Sequence, residues 1–319
     1  MIRRAAVLVA AVALLAGCSS DPEAAPEPSA SPRPTAVVTP TADPEAARLQ
    51  ALAQLAEQRA AELPVPTATA SVTDPATAGG RPVLGADIGW PQCPEGLGIP
   101  ERRTLGRPMP LPQARYVVVG LTNGPGFTAN PCLADQVAWI RERHLLAAAY
   151  AVVSQPSEEQ VAAYGGRGPF DAATDLGALA NAGYQQALAN VATMRAAGLA
   201  SPSVWLDVEH VPDFEWSDDL TANAAVVQGS ARGYTDAGYA VGVYSTPLLW
   251  SDVVGDLALR VPEWRAAGQT SQEEALARCG DDWMIQGGEP VMGQWVADRR
   301  DHDVTCPGVS DLGRWFQQY

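Results

Sequence analysis

Short apolar strands alternate with helical segments from residue 82 onward, and this alternation limits the possible folds more than any other feature of the sequence. Residues 115–121 form a nearly continuous apolar strand, which is typical of a parallel sheet covered on both faces. Further strands are predicted at residues 82–88, 145–153, 203–210, 239–245, 262–267 and 291–297, and helices at 133–143, 172–198, 221–237 and 269–278. Five strand–helix units followed by closely spaced strands predict an α/β fold, a TIM-like (β/α)5(β)3 barrel with its site on the carboxyl-terminal rim.

The strand at residues 203–210, SVWLDVEH, carries the candidate chemistry. Side chains alternate across a strand, so Asp207 and Glu209 share one face, roughly 6–7 Å apart along the backbone. Leu206 and Val208 then point to the other face, into apolar packing. Two carboxylates on one face at a strand end are costly to bury, and paired carboxylates perform acid–base chemistry on glycosidic bonds. The alternative is structural, since Asp often caps a following helix and Glu is often simply solvated.

The N-terminus has the features of an export signal. Arg3 and Arg4 precede an apolar run that is too short to favour a membrane span. The run ends in LAGC, which resembles the lipobox of bacterial lipoproteins and implies that Cys18 is lipidated. We therefore expect a signal peptide over residues 1–17, a disordered Pro/Ala-rich tether over 18–80 with a short helix at 44–63, and the barrel over 81–319.

Charge and cysteine content narrow the class of protein further. The formal net charge is −15, which argues against binding nucleic acid or other phosphates. Beyond Cys18 an even number of cysteines remains in a chain predicted to be exported, which favours disulfides. We pair Cys93 with Cys132 and Cys279 with Cys306, because each pair is close in sequence and follows neighbouring predicted strands. The alternative is a zinc site, but no C-x-x-C spacing supports one, so no metal and no cofactor are predicted.

With these elements in place, residues 82–316 resemble glycoside hydrolase family 25, the muramidases that cut peptidoglycan. The likeness rests on short motifs in the family's order: GADIGWPQ at 85–92, VWLDVE at 204–209, GVYST at 242–246, and then Trp264, the pair Gln294 and Trp295, and Asp301 to Asp303. The pattern is still more similar to a little-characterised, exported glycoside-hydrolase-like set from GC-rich Gram-positive bacteria. Family 18 barrels also end a strand in D-x-E, but they have an acid where this chain has Trp205.

The resemblance implies roles for the acidic residues. Glu209 would protonate the leaving oxygen, and Asp207 would orient the 2-acetamido group of the sugar. Asp87 and Asp301 would complete an acidic pocket that keeps Glu209 protonated. Sugar rings would lie on aromatic side chains, or these would simply fill the barrel; the candidates are Trp90, Tyr150, Tyr244, Trp264 and Trp295.

The sequence departs from the family pattern at three positions. Asn123 stands where the second strand usually has Glu, Ala151 stands where the third strand often has His, and Asp303 replaces the final Asn of D-x-N. Two functions therefore remain. The first is a cell-surface hydrolase of peptidoglycan or a related N-acetylated glycan, monomeric and attached to the outer face of the membrane through Cys18. The second is a non-catalytic glycan-binding or envelope-organising lipoprotein on the same barrel.

Overall fold

The computed structural model describes residues 79–319, and the chain folds there into a closed barrel. The strands are β1 (Leu84–Ile88), β2 (Tyr116–Gly120), β3 (Leu146–Val152), β4 (Ser203–Asp207), β5 (Ala240–Ser245), β6 (Glu263–Ala266), β7 (Pro290–Ala297), β8 (Arg300–Thr305) and β9 (Gln317–Gln318). Strands β1 to β8 pair in chain order, and β8 closes the ring against β1. Only β8 runs antiparallel within the ring, and β9 adds a short antiparallel pairing to the start of β3.

Helices cover the outside of the barrel. They are α1 (Leu133–Glu142), α2 (Glu158–Tyr164), α3 (Asp175–Ala196), α4 (Leu220–Asp236), α5 (Pro247–Val254) and α6 (Gln272–Ala277). The predicted barrel is confirmed, but its first unit differs from the (β/α) pattern. The loop between β1 and β2 contains two 3₁₀ turns, Trp90–Gln92 and Pro100–Arg102, instead of an α-helix. This loop lies on the rim where the strands end.

Side-chain alternation divides the apolar residues into two layers. One layer lies between strands and helices and includes Val117, Leu206 and Val208. For Leu206 and Val208 this is the location predicted from their position opposite the carboxylates. The other fills the barrel lumen with large side chains, among them Tyr116, Trp205, Trp264 and Phe316. Because these side chains fill the lumen, it is a packed core and not a channel. Burying an aromatic side chain of this size stabilises the fold by roughly 2–3 kcal/mol.

Glycines make room for the lumen aromatics. Gly85 is the register partner of Tyr116, Gly120 of Tyr150, and Gly242 of Trp205. A Cβ atom on these glycines would lie 2.3, 2.8 and 2.3 Å from the partner ring, closer than any carbon contact allows. Each ring therefore lies flat over the backbone of the neighbouring strand.

Both predicted disulfides form. Cys93 pairs with Cys132 and Cys279 with Cys306, with Cα atoms 5.6 Å apart in each pair. The first bond ties the loop after β1 to the start of α1, and the second ties the segment after α6 to the end of β8. Within residues 79–319, no helix has the length and apolar character that crossing a membrane requires. Cys18, the signal peptide, the tether and the predicted helix at 44–63 lie outside the described residues.

Candidate active site

The barrel brings acidic side chains from three strands to one end of its lumen. Asp87 lies near the end of β1 and is the register partner of Asp301 on β8. Asp207 is the last residue of β4, and Glu209 follows two positions later. Since β8 runs against the other strands, its first residues meet the carboxyl ends of β1 and β4. The predicted set Asp87, Asp207, Glu209 and Asp301 therefore converges at the rim.

Burial and mutual repulsion raise the pKa of these carboxyl groups. Asp87 is only 7% exposed, and burial raises its pKa well above the ordinary value, with further increases from the charges of Asp301, Asp303 and Asp207. Burial likewise raises the pKa of Asp207, and the charge of Glu209 adds to the effect. Negative charges in a low-dielectric site cannot all be present at once. The group therefore retains protons at a pH where exposed carboxylates have lost them.

Glu209 is the acid of this group best placed to exchange a proton with a ligand. It is half-buried, whereas Asp207 is 4% exposed. Burial and the charge of Asp301 raise the pKa of Glu209 and the positive charge of Arg102 lowers it, so that the pKa lies at about 7. A carboxyl group with a pKa near neutrality is protonated often enough to act as an acid and is readily deprotonated afterwards.

Two glutamines hold the aspartates in place. Gln294 on β7 donates from Nε2 to Asp87 Oδ2 at 3.0 Å, and its Oε1 accepts from the Tyr244 hydroxyl at 3.0 Å. Gln92 donates from Nε2 to Asp301 Oδ2 at 3.4 Å. Both glutamines lie within the family-like motifs, but neither was predicted to belong to the site. The alternation of β7 places Gln294 on the lumen face and could have identified it, whereas Gln92 lies in a 3₁₀ turn whose position the local sequence does not indicate.

Asp301 and Asp303 occupy successive levels of the lumen. Asp301 is half-buried at the rim, and Asp303 is fully buried one level below, opposite Gly85. Trp264 donates from Nε1 to Asp303 Oδ1 at 2.9 Å, while Oδ2 has no hydrogen-bond partner within residues 79–319. Burial raises the pKa of Asp303 well above its ordinary value. Both acids face the lumen, and Asp301 is the one within reach of a ligand.

The predicted aromatic residues fall into three groups. Tyr150 and Tyr244 line the rim and are half-buried, and Trp90 is half-buried at the start of the 3₁₀ turn that follows β1. Trp264 is 1% exposed and packs beneath both tyrosines, so it supports the site from below. Trp295 was expected at the site, but it lies on the outer face of β7. There it stacks on His302 with ring centroids 4.9 Å apart and packs against Ala275 of α6. The alternation of β7, which gives Gln294 the lumen position, excludes Trp295 from the site.

Two of the departures from the family pattern lie away from the lumen. Asn123 is fully buried, and its side chain bonds to the backbone of Ile99 and Arg102 in the loop after β1. Ala151 packs between the barrel and the helices. Neither position contributes a group to the acidic cluster.

No group of three or more His, Cys, Asp or Glu side chains within residues 79–319 is arranged to hold a metal ion. The acidic cluster consists of mutually repelling, protonatable carboxyl groups, two of which accept hydrogen bonds from glutamine amides, and such an arrangement suits proton transfer.

A family model described as Lysozyme-like protein 1 matches residues 177–277, which include Asp207 and Glu209. No curated protein sequence matches the chain significantly. The fold is similar to the muramidase from Acremonium alcalophilum, at 16% identity and a TM-score of 0.43, covering 69% of this chain and 92% of that chain. It is also similar to a family GH25 lysozyme from Aspergillus fumigatus, at 14% identity and a TM-score of 0.42, covering 70% of this chain and 94% of that one. Residues 177–277, from the start of α3 to the end of α6, are therefore similar to a lysozyme-like family, and the matched stretch contains both carboxylates of β4 and its following loop.

Proposed function

We propose that the protein is an exported glycoside hydrolase that acts on peptidoglycan or a related N-acetylated glycan. The observation that carries the proposal is Glu209, a half-buried acid with a pKa of about 7 that follows Asp207 at the rim of the barrel. Cleavage of a glycosidic bond needs an acid that is protonated at working pH and a second group that stabilises the sugar cation. The match of residues 177–277 to a lysozyme-like family supports a cell-wall glycan as the substrate.

In the proposed reaction, Glu209 donates its proton to the glycosidic oxygen as the bond from that oxygen to C1 breaks. The carbonyl oxygen of the substrate's own 2-acetamido group bonds to C1, and Asp207 accepts a hydrogen bond from the acetamido N–H. Water then attacks C1, the acetamido oxygen leaves C1, and the Glu209 carboxylate takes the proton from the water. Each cycle returns Glu209 to its starting state.

Asp87 and Asp301 assist without touching the bond that breaks. The charge of Asp301 raises the pKa of Glu209, and Gln92 and Gln294 fix the two aspartates in position. In this proposal sugar rings pack on Trp90, Tyr150 and Tyr244, whose rings are partly exposed at the rim.

The proposed location is the outer face of the cell membrane. It is supported by the sequence of the leader and by Cys18, which would carry the lipid. The long segment between Cys18 and the barrel would let a monomeric domain reach the glycan while the anchor stays in the membrane.

Binding without catalysis is the competing function. The packed lumen favours it, because Asp207 is 4% exposed and its Oδ1 is buried without a hydrogen-bond partner within the described residues. The partial exposure and pKa of Glu209 favour the hydrolase. The positions of Asn123 and Ala151 give the binder no support, since neither lies in the acidic cluster.

Release of dye from labelled peptidoglycan, together with the appearance of new reducing ends, tests the proposal. Wild type should release both, and Glu209→Gln should lose activity by roughly 10²–10⁴-fold, since it cannot donate a proton. Glu215→Gln is the matched control, because Glu215 is an exposed acid in the same loop. No release by wild type above Glu209→Gln refutes the hydrolase. Cell-wall pull-down that survives Glu209→Gln, with no new reducing ends, would then support the binder.

A further inference from the structure

Three rim loops meet beside Glu209, and Asn123 joins the first two of them. Its Oδ1 accepts from the backbone N of Ile99 at 2.9 Å, and its Nδ2 donates to the carbonyl of Arg102 at 2.9 Å. Asn123 follows β2 and is fully buried, whereas Ile99 and Arg102 belong to the loop after β1. A buried amide with both ends satisfied fixes the backbone on either side of Arg102.

The side chain of Arg102 joins these two loops to the third, which follows β4. Its Nη2 donates to the carbonyl of Pro212, and its Nη1 lies 3.8 Å from Asp213 Oδ2. The guanidinium group also lies over the Phe214 ring, 5.5 Å from the centroid. Only 15% of the Arg102 side chain is exposed, so its position is set by the loops and not by solvent.

Two glycines allow this close meeting of loops. Gly98 and Gly124 have φ angles of +83° and +94°, which strain other residues. A Cβ on Gly98 would lie 2.4 Å from Asn123 Oδ1, and one on Gly124 would lie 3.0 Å from Arg102 Cγ. Both the backbone conformation and the available space therefore favour glycine at these two positions. The sequence thus fits the close packing of the three loops around Arg102.

The loop that Arg102 binds also contains Glu209. Trp216 donates from Nε1 to the carbonyl of Glu209 at 3.0 Å, so residues 209–216 fold back on themselves. Pro212, the partner of Arg102, lies within this folded segment. The titratable groups that face Glu209 come from β3, β4, β5, β8 and the loop after β1; they are Tyr150, Asp207, Tyr244, Asp301 and Arg102. Arg102 is the cation among them, and it lowers the pKa of Glu209 against the effect of burial.

We propose that Arg102, clamped between the loops that follow β1, β2 and β4, is a positioning residue that holds a positive charge against the loop containing Glu209 and thereby sets the upper pH limit of hydrolysis. The inference rests on the proposed function only for its effect on turnover. Asn123, at a position where the sequence departs from the family pattern, has the role of holding Arg102 there.

The direction in which loss of the Arg102 charge shifts the pH–rate profile follows from the role of Glu209 as an acid. Glu209 acts as an acid only while protonated, so the rate falls as the pH rises through its pKa. Removing a nearby cation makes the carboxylate less stable and raises that pKa. The upper limb of the pH–rate profile should therefore move to higher pH when Arg102 loses its charge, and the Glu209 titration should move with it.

The test measures the titration of Glu209 in the full chain by carboxyl ¹³C NMR of glutamate-labelled protein, with Glu209→Gln identifying the signal. Arg102→Met should raise the titration midpoint and the upper limb of the pH–rate profile by roughly half a unit. Arg102→Lys keeps the charge and should restore most of the wild-type midpoint. Asn123→Ala should produce part of the shift, since Arg102 remains but is held less firmly.

Arg103→Met is the matched control. Arg103 lies in the same loop and is exposed, and its guanidinium bonds to the carbonyls of Gly96 and Gly98, not to the loop after β4. The Arg103→Met substitution removes one positive charge and should leave the titration midpoint of Glu209 unchanged. The proposal is overturned if Arg102→Met leaves the midpoint in place or lowers it, or if Arg103→Met moves it equally. Because NMR needs no turnover, an inactive wild type would refute the hydrolase while the role of Arg102 is still decided.

Discussion

The barrel buries carboxyl groups on the outer face of β6 and in its lumen, and the two places differ in how far the buried charge is compensated by hydrogen bonds and a cation. On the outer face of β6, Glu263 is fully buried and accepts hydrogen bonds from the backbone N of Ile285, Gln286 and Gly288. Arg265 adds Nε and Nη2 contacts at 2.8 and 2.7 Å. In the lumen, Asp207 and Asp303 are equally hidden, yet each has an oxygen without a hydrogen-bond partner in the part of the chain that the structure describes.

The difference shows what marks a candidate site. A carboxylate surrounded by donors and a cation is a structural ion, and here it fixes the backbone of residues 285–288. A buried carboxyl group that lacks such partners keeps its proton, and its pKa rises. Burial of an acid alone does not indicate function, whereas burial without compensation of its charge does.

Removing the compensated acid should have the largest effect on stability. Glu263→Gln leaves the buried guanidinium of Arg265 without its counter-charge, and we expect a loss of about 3–5 kcal/mol in the free energy of unfolding. Denaturant unfolding of the variant measures this loss. Replacing both residues, as in Glu263→Gln with Arg265→Met, should recover part of it. A Glu263→Gln variant as stable as wild type would contradict the contrast between the two regions.

Removing a lumen acid should affect activity instead. Asp207→Asn should reduce glycan release on the order of 10²-fold, because the amide oxygen still accepts the acetamido N–H but cannot ionise to stabilise the positive charge that develops on the acetamido group. Its unfolding free energy at pH 7 should equal or exceed that of wild type, since a group that resists ionisation is removed. Denaturant unfolding and the release assay, run on the same preparation, measure both. A large loss of stability would show that Asp207 serves the fold.

The pH dependence of stability should follow the lumen acids. The pKa values of Asp87, Asp207, Asp303 and Glu209 are all raised in the folded chain. Their contribution to stability is therefore complete below the unfolded-state pKa values, about 4, and is lost as the pH rises through the folded values. For Glu209 this window extends to a pH of about 7.

Each extra proton held by the folded state changes stability by about 1.4 kcal/mol per pH unit. Calorimetric melting temperatures should accordingly fall between pH 5 and pH 8 by more in wild type than in Asp207→Asn. Equal slopes would argue against protonated acids in the lumen.

The smallest effect on activity is expected at Asp303, which lies below the reach of a ligand. Asp303→Asn imitates the neutral carboxyl group and keeps an oxygen to accept from Trp264 Nε1, so its stability relative to wild type should increase by up to about 1.4 kcal/mol per pH unit between pH 5 and pH 8. Asp218→Asn, at an exposed acid, is the control. Thermal unfolding of both variants at the two pH values provides the measurement. A destabilised Asp303→Asn at pH 8 would mean that Asp303 is ionised and belongs with Glu263.

Much of this arrangement could be read from the sequence. Strand alternation predicted the shared face of Asp207 and Glu209, and the alternation of apolar strands with helices predicted the barrel. The even number of cysteines beyond Cys18, and the closeness of each pair in sequence, predicted both disulfides. The helices α2 and α5 were not predicted, although both begin with recognisable capping residues. Ser157 and Gln160 form a capping box before α2, and Thr246 caps α5 with Pro247 at its first position.

Other features depend on distance in space. The strand β8 reads RDHDVT and lacks apolar alternation, because its lumen face carries Asp301 and Asp303. The contacts of Gln92 and Gln294 join positions 209 and 207 residues apart. The hydrogen bond from Arg102 to the carbonyl of Pro212 joins residues that are 110 positions apart. These hydrogen bonds form only when the barrel closes, and the local pattern of apolar and polar residues does not predict which distant residues will then meet.

The rings that lie over glycines restrict how this barrel interior can diverge in evolution. Enlarging Gly242 alone collides with Trp205, and shrinking Trp205 alone leaves a void, so either single step is disfavoured. The same holds for Gly85 with Tyr116 and for Gly120 with Tyr150. Related sequences should therefore change these partners together or not at all. An alignment of homologues would reveal the barrel's strand register as correlated substitutions before any coordinates were determined.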